Sequence, residues 1–224
     1  MVKTFLVLIP AYNASLTISE LIEKVSKFVN KSDILVIDDG SKDDTFAIAT
    51  KTGAVVLKHE RNKGKGEALK TGFKYALEKN YDALFTIDAD LQHDPCSIPE
   101  FFQKVNENFN GILIGTRDIN LKIMPFARWL TNNLTSVILS ILSGQTIRDS
   151  QSGYRLISTQ VLKKVKLKAR KYDLESEILV KAGRKGFKID AVPIKTIYHG
   201  GKSFINPFVD TGRFIKLMWR SVWW

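Results

Sequence analysis

Two aspartates, Asp88 and Asp90, stand at the end of the apolar run Ala83 to Ile87. On an extended segment residues i and i+2 point the same way, so both carboxylates can face one cation. Hard oxygen donors of this kind suit Mg2+ or Mn2+, which also bridge substrate phosphates. Gln92 continues the same face and offers a neutral oxygen, which makes Asp88, Asp90 and Gln92 the candidate metal set. An EF-hand loop starting at Asp88 would need Gly where His93 stands and Glu where Pro99 stands. A phosphoaspartyl phosphatase would want Thr or Val at Gln92. His93 reads as a hydrogen-bonding neighbour of the site.

Two further clusters end apolar runs: Pro10-Ala11-Tyr12-Asn13 and Asp38-Asp39-Gly40-Ser41. Alone, the second is an ordinary solvated turn; the three clusters together at one sheet edge are harder to read that way. The stretch Arg61-Asn62-Lys63-Gly64-Lys65-Gly66 precedes a helical pattern. It lacks the last glycine of a dinucleotide fingerprint, where Leu69 stands, and the Gly-Lys-Ser/Thr of a Walker loop. Two glycines and two lysines at a helix N-terminus can hold a phosphate or a carboxylate, and a solvated basic loop is the plainer alternative.

The elements that must carry these clusters alternate. Strands are predicted at Phe5 to Ile9, Ile34 to Ile37, Val55 to Leu57, Ala83 to Ile87 and Gly111 to Gly115. Helices are predicted from a Thr17/Glu20 capping box, after Asp43 and Asp44, from about Gly66 to Lys79, and from Ser97 through Val105. Such β-α alternation means an α/β fold with a mostly parallel central sheet and helices on both faces. Ligands of such sheets bind beyond the carboxyl ends of the strands, where the three clusters fall. Beyond about Asn120 the pattern is less regular and more basic.

The 224 residues carry a net charge of +11, which repels itself unless something anionic lies nearby: nucleic acid, lipid headgroups or phosphorylated substrates. One cysteine, Cys96, forms no internal disulfide and fits a reducing compartment. The apolar start is too short for a secretion signal, and no run of about 18 apolar residues predicts a transmembrane helix. Phe126, Trp129, Leu130, Leu134, Val137, Ile138, Ile141 and Leu142 repeat at helical spacing, with Arg128, Asn132 and Thr135 on the other side. Near the C-terminus, Phe214, Ile215, Met218 and Val222 share a face, and Trp219, Trp223 and Trp224 favour a headgroup region. A helix packed on the sheet, or a dimer interface, would also cover these residues.

These motifs together resemble the family 2 glycosyltransferases of the GT-A fold, most closely the polyprenyl-phosphate sugar synthases of the dolichyl-phosphate mannose synthase type. The resemblance rests on Ile9 to Asn13, Val36 to Ser41, Asn62 to Gly66, Asp88 to Pro95, Gly115-Thr116-Arg117 and Asp149-Ser150-Gln151-Ser152-Gly153-Tyr154-Arg155. It implies one glycosyltransferase domain over 1–224, with a nucleotide-sugar and metal half at 1–119, an acceptor half at 120–205 and an amphipathic segment at 206–224. Pro10, Tyr12 and Asn13 would line the base, Asp38 or Asp39 would read a ring N–H, and Lys65 would support the nucleotide. Asp88 would contact ribose and metal, with Asp90 and Gln92 ligating the metal. Arg117, Arg128 and Asn132 would grip the acceptor phosphate, while Arg155 and Lys202 would close over the diphosphate. The Gln-x-x-Arg-Trp element of processive members is absent, which implies single transfer.

The expectation is therefore transfer of a sugar, mannose or glucose, from a nucleotide diphosphate to a polyprenyl phosphate. The partners would be the nucleotide sugar, the lipid phosphate and an anionic membrane, with no nucleic acid. The enzyme would lie on the cytoplasmic membrane face without crossing it. An acceptor hydroxyl would need a carboxylate base; Asp118 is a candidate, although an ion pair with Arg117 is the plainer role. The alternatives are a family member using a soluble or glycan hydroxyl, a nucleotidyltransferase, or a non-catalytic binder of anionic membrane or nucleic acid.

Overall fold

The computed structural model describes residues 4–105, 109–117, 126–169 and 173–194, with side chains from 129 onward in the third segment. β1 (Phe5–Ala11) is buried at nearly every position, and its alternation feeds two cores. Leu6 and Leu8 join one, while Val7, Ile9 and Ala11 join the other. β2 (Ile34–Asp38) divides in the same way. These are strands covered on both faces, which is why they read as unbroken apolar runs.

β3 (Val55–Lys58), β4 (Ala83–Thr86), β5 (Gly111–Arg117), β6 (Arg155–Ser158) and β7 (Lys188–Ile194) complete a seven-stranded sheet in the order β3-β2-β1-β4-β6-β5-β7. All pairings are parallel except those of β6, which runs against both β4 and β5. The expected α/β architecture is present, and the five strands read from the sequence all form.

One face of the sheet is covered by α3 (Lys65–Glu78), α5 (Phe126–Ser143), α6 (Thr159–Lys164) and α7 (Asp173–Arg184). The other is covered by α1 (Ile18–Val25), α2 (Thr45–Lys51) and α4 (Ile98–Gln103). Gly72 lets α3 lie tight on the sheet: a Cβ there would sit 2.3 Å from a methyl of Leu8.

Two helix starts differ from expectation. Thr17 does not cap α1; its hydroxyl donates to the Ala89 carbonyl at 2.6 Å, so the side chain serves the Asp88–Asp90 turn instead. The helix expected from Ser97 is preceded by a 3-10 turn, Pro95–Ser97, whose cap is Asp94 accepting from the Cys96 N–H. Pro99 follows in the first turn of α4, which ends at Gln103 rather than Val105.

α5 is turned outward. Leu130, Leu134, Val137 and Ile141 are 49–76% exposed, whereas Asn132, Thr135, Ser136, Leu139 and Ser143 are buried. The polar side of the predicted helix is thus largely its inner side, where serines and Asn132 bond to the 147–150 segment. No helix among the described residues is long and apolar enough to cross a membrane.

Candidate active-site cleft

The carboxyl ends of β1, β2 and β4 open into one cleft of about 740 Å³, lined by residues that include Tyr12, Asn13, Asp39, Lys65, Asp88 and Asp90. That volume suits a nucleotide-sized ligand. At the β1 end Pro10 and Tyr12 flank the opening, the Tyr12 ring 44% exposed. Asn13 sits at φ +52, a left-handed conformation Asn tolerates. Its N–H donates to Ser41 Oγ and its Oδ1 accepts from the Lys42 N–H, both at 2.9 Å. Thus Asn13 and the turn after β2 hold each other.

The two aspartates of that turn differ. Asp38 is fully buried; its Oδ1 accepts from the Ser41 N–H at 3.0 Å, while Oδ2 has no hydrogen-bond partner and lies 4.0 Å from Lys58 Nζ. Asp39 lines the cleft, but its oxygens are engaged. Oδ1 accepts from the Lys63 N–H at 3.0 Å and from His59 Nδ1 at 2.7 Å, and Oδ2 accepts from the Gly64 N–H at 2.7 Å. The Gly-rich loop does hold a carboxylate, and the carboxylate is the chain's own. Gly64 makes the turn at φ +95 and α3 begins at Lys65.

At the edge that carries Asp88 and Asp90, β4 ends at Thr86, and the chain turns at Ala89 and Asp90. Leu91, nearly buried, is held at φ +59. A bulky residue in that region is strained, and such strain collects at functional turns. Gln92 therefore does not continue an extended face; Asp90 Oδ1 accepts its backbone N–H at 3.0 Å. The sequence argument for Gln92 as a third ligand loses its geometric basis, because the positive φ breaks the two-residue alternation.

Charge around the pair is unequal. Burial opposes ionisation of Asp88, but Lys65 Nζ, 2.6 Å from its Oδ1, holds its carboxyl below the ordinary range. Burial and the Asp88 charge push Asp90 up. Lys65 also pairs with Glu175 of α7 at 3.2 Å; burial works against its charge, and the two carboxylates more than restore it. Gly153 leaves space beside Asp88, where a Cβ would stand 2.6 Å from Oδ2. Two hard carboxylates, one of them reluctant to ionise without a cation, and that cradle fit Mg2+ or Mn2+. Among the described residues no three His, Cys, Asp or Glu side chains gather to hold a metal.

His93 is no hydrogen-bonding neighbour through Nδ1, which is buried without a partner; its ring stacks on Tyr154 at 5.2 Å. Burial pushes its pKa down to about 4. Arg155 does not reach the cleft. It is 2% exposed and donates to the carbonyls of Ser150, Ser152 and Glu175 at 2.6–2.7 Å, fastening the reversed strand β6. Its expected role on the diphosphate is corrected on that ground.

Where the acceptor groups were expected, Arg117 ends β5 and forks onto Asp149, Nε to Oδ2 at 2.8 Å and Nη2 to Oδ1 at 2.9 Å. Asn132 is fully buried and donates to Asp149 Oδ1 at 3.1 Å, so it touches this side through Asp149. Arg117 pairs with Asp149, 32 residues away; Asp118, Lys202 and the 206–224 segment lie outside the described residues, as does the side chain of Arg128 on α5. Asp149, His59 and Glu175 are the residues sequence reasoning missed. Asp149 stood in a recognised motif without a role; the other two carry no local signal.

A nearly parallel sheet interrupted by one reversed strand, with acidic residues where its carboxyl edge meets a nucleotide-sized cleft, is the GT-A architecture of glycosyltransferases. Residues 6–166 match the model of glycosyl transferase family 2, and the chain belongs to that family. It is 34% identical over 218 residues to the UDP-N-acetylglucosamine–dolichyl-phosphate N-acetylglucosaminyltransferase of Methanococcus voltae, covering 88% of this chain and 86% of that one. It is 29% identical over 201 residues to the polyprenol monophosphomannose synthase of Mycolicibacterium smegmatis, covering 84% and 76%. The fold is also that of glucosyl-3-phosphoglycerate synthase from Mycobacterium tuberculosis, with a TM-score of 0.78, 22% identity, and coverage of 98% and 80%. One crystal of that enzyme holds Mn2+, UDP and glucosyl-3-phosphoglycerate.

Proposed function

We propose that this glycosyltransferase moves a sugar from a nucleotide diphosphate to a polyprenyl phosphate at a membrane surface, with Mg2+ or Mn2+ in the Asp88–Asp90 site. The observation that carries the reading is that Asp88 and Asp90 line one nucleotide-sized cleft with Tyr12, Asn13 and Lys65, whose Nζ lies 2.6 Å from Asp88. The two relatives, named for activities on dolichyl phosphate and polyprenol monophosphate, support the acceptor class. The Mn2+ and UDP of the structural neighbour support the donor class.

The base would lie against Pro10, Tyr12 and Asn13, and the diphosphate would run past Lys65 towards Asp88, Asp90 and Gln92. Asp88 and Asp90 would hold a divalent cation, which when bound would supply positive charge towards the leaving diphosphate. Lys65 adds a fixed charge beside Asp88 and keeps that carboxylate aimed. Arg117, oriented by Asp149, would receive the acceptor phosphate together with Arg128, and Asn132 would brace Asp149. A phosphate acceptor is already anionic, so no side chain need remove a proton from it. The outward stripe of α5 and the aromatic C-terminal segment would rest in the headgroup region, aided by the charge of +11.

The test is release of nucleoside diphosphate from a panel of UDP- and GDP-sugars with Mn2+ and a short prenyl phosphate. The reading expects acceptor-dependent release that EDTA abolishes and that Asp90→Asn lowers by about a hundredfold or more without unfolding the protein. Full activity in EDTA would remove the metal from the account.

A further inference from the structure

We propose that His59 is a positioning residue for the donor side of the cleft, acting through Asp39 on the start of α3. The inference rests on reading the cleft as a nucleotide diphosphate site.

Asp39 is 3% exposed and accepts three hydrogen bonds, two from the Lys63 and Gly64 amides and one from His59. A carboxylate only accepts, so His59 Nδ1 carries the proton and donates at 2.7 Å. The other ring nitrogen, Nε2, meets Thr71 Oγ1 of α3 at 2.9 Å. The imidazole of His59, a residue 8% exposed, therefore ties the turn after β2 to the first half of α3, while the backbone N–H of His59 donates to the Asp38 carbonyl at 2.8 Å. The chain between these points has little freedom. Gly40, at φ +71, packs so close to the Arg61–Asn62 backbone that a Cβ would stand 2.4 Å from the Arg61 carbonyl carbon.

The next residue after the clamped amides is Lys65, whose Nζ lies 2.6 Å from Asp88. A fixed carboxylate at Asp39 thus fixes Gly64, Gly64 fixes the first turn of α3, and α3 delivers Lys65 to the metal edge. Without a donor at His59, the Asp39 carboxylate keeps two amides but loses its anchor on the His59 ring, and it can swing towards the cleft. Asp39 then becomes a misplaced negative charge where a diphosphate must pass.

The test compares three substitutions. His59→Asn keeps an N–H donor at the Nδ1 position, His59→Gln moves it to the Nε2 position, and His59→Leu removes it. Hydrogen exchange of the Lys63 and Gly64 amides in the ligand-free full chain reads the clamp directly, and calorimetry with UDP or GDP plus Mn2+ reads the donor side. Both amides lose about tenfold in protection in His59→Leu and His59→Gln, and His59→Asn restores them. Nucleotide affinity falls about tenfold in the same two variants and recovers in His59→Asn, so that the donor KM rises while kcat stays within about twofold. Unchanged protection in His59→Leu, or equal loss in all three variants, overturns the proposal. Should the unmodified chain bind neither nucleotide, the donor reading fails, and the amide pattern still decides whether His59 sets the clamp.

Discussion

Gly153 and Asp149 show how little separates a positioned charge from a misplaced one. A methyl group at Gly153 would press on the Asp88 carboxylate at 2.6 Å, and a carboxylate is free to rotate away where backbone is not. Gly153→Ala is therefore expected to leave thermal stability nearly unchanged and to weaken Mn2+ binding about ten- to a hundredfold, read by calorimetry. Unaltered Mn2+ affinity would mean that Asp88 does not need its present orientation. At Asp149 burial opposes the charge, and the Arg117 fork overcomes it. Asp149→Asn weakens the fork that Arg117 makes there and should cost about 1–3 kcal/mol in chemical denaturation. A cost near zero would show that Arg117 has a second sufficient partner. At this scale the sequence was legible for what the residues are and poorly legible for what they face. Asp88 and Asp90 announced themselves by spacing, but Arg155 looked like a diphosphate ligand until its three carbonyl partners were seen. His59 and Asp39 meet across 20 residues, and no local pattern encodes that.

Elements were read well where burial is symmetric. β1, β2 and β4 are covered on both faces, and their unbroken apolar runs left one interpretation. β6 was missed because it is four residues long, starts on a charged side chain and runs against its neighbours. α5 was found, but its polarity misleads: serines and Asn132 bond inward while Leu130 and Leu134 look out. The stripe from Leu130 to Ile141 extends about 16 Å along the helix. Glutamate at both Leu134 and Ile141, which are more than half exposed, should change stability by no more than about 1 kcal/mol in sum. In vesicle sedimentation the same variant should bind anionic lipid several-fold more weakly. Unchanged partition would remove α5 from the membrane reading. The turn that carries Asn13 has its own pH limit. Burial works against ionisation at Asp43, but hydrogen bonds from Thr45 and Ser15 hold its carboxyl at about 2. A depressed carboxyl stabilises the fold fully above its unfolded pKa near about 4, and that contribution is lost as pH falls through about 2. Unfolding free energy should fall more steeply over that window in the unmodified chain than in Asp43→Asn; parallel curves would contradict the assignment.

At the scale of the whole molecule, the groups proposed for the donor gather at the carboxyl ends of β1, β2 and β4, and those proposed for the acceptor lie around the end of β5. Under the proposed function, the charge of +11 and the outward face of α5 would meet a surface of anionic lipid, on which a long prenyl chain would stay while its phosphate rose to Arg117. The central claim is the chemical identity of the product. Mass spectrometry of the lipid fraction, after incubation with a nucleotide-sugar panel, Mn2+, a polyprenyl phosphate and a glycan alcohol in equal amounts, reads it directly. The account predicts a single sugar added to the lipid phosphate, absent in EDTA. Sugar found on the alcohol, with the lipid phosphate untouched, would contradict it.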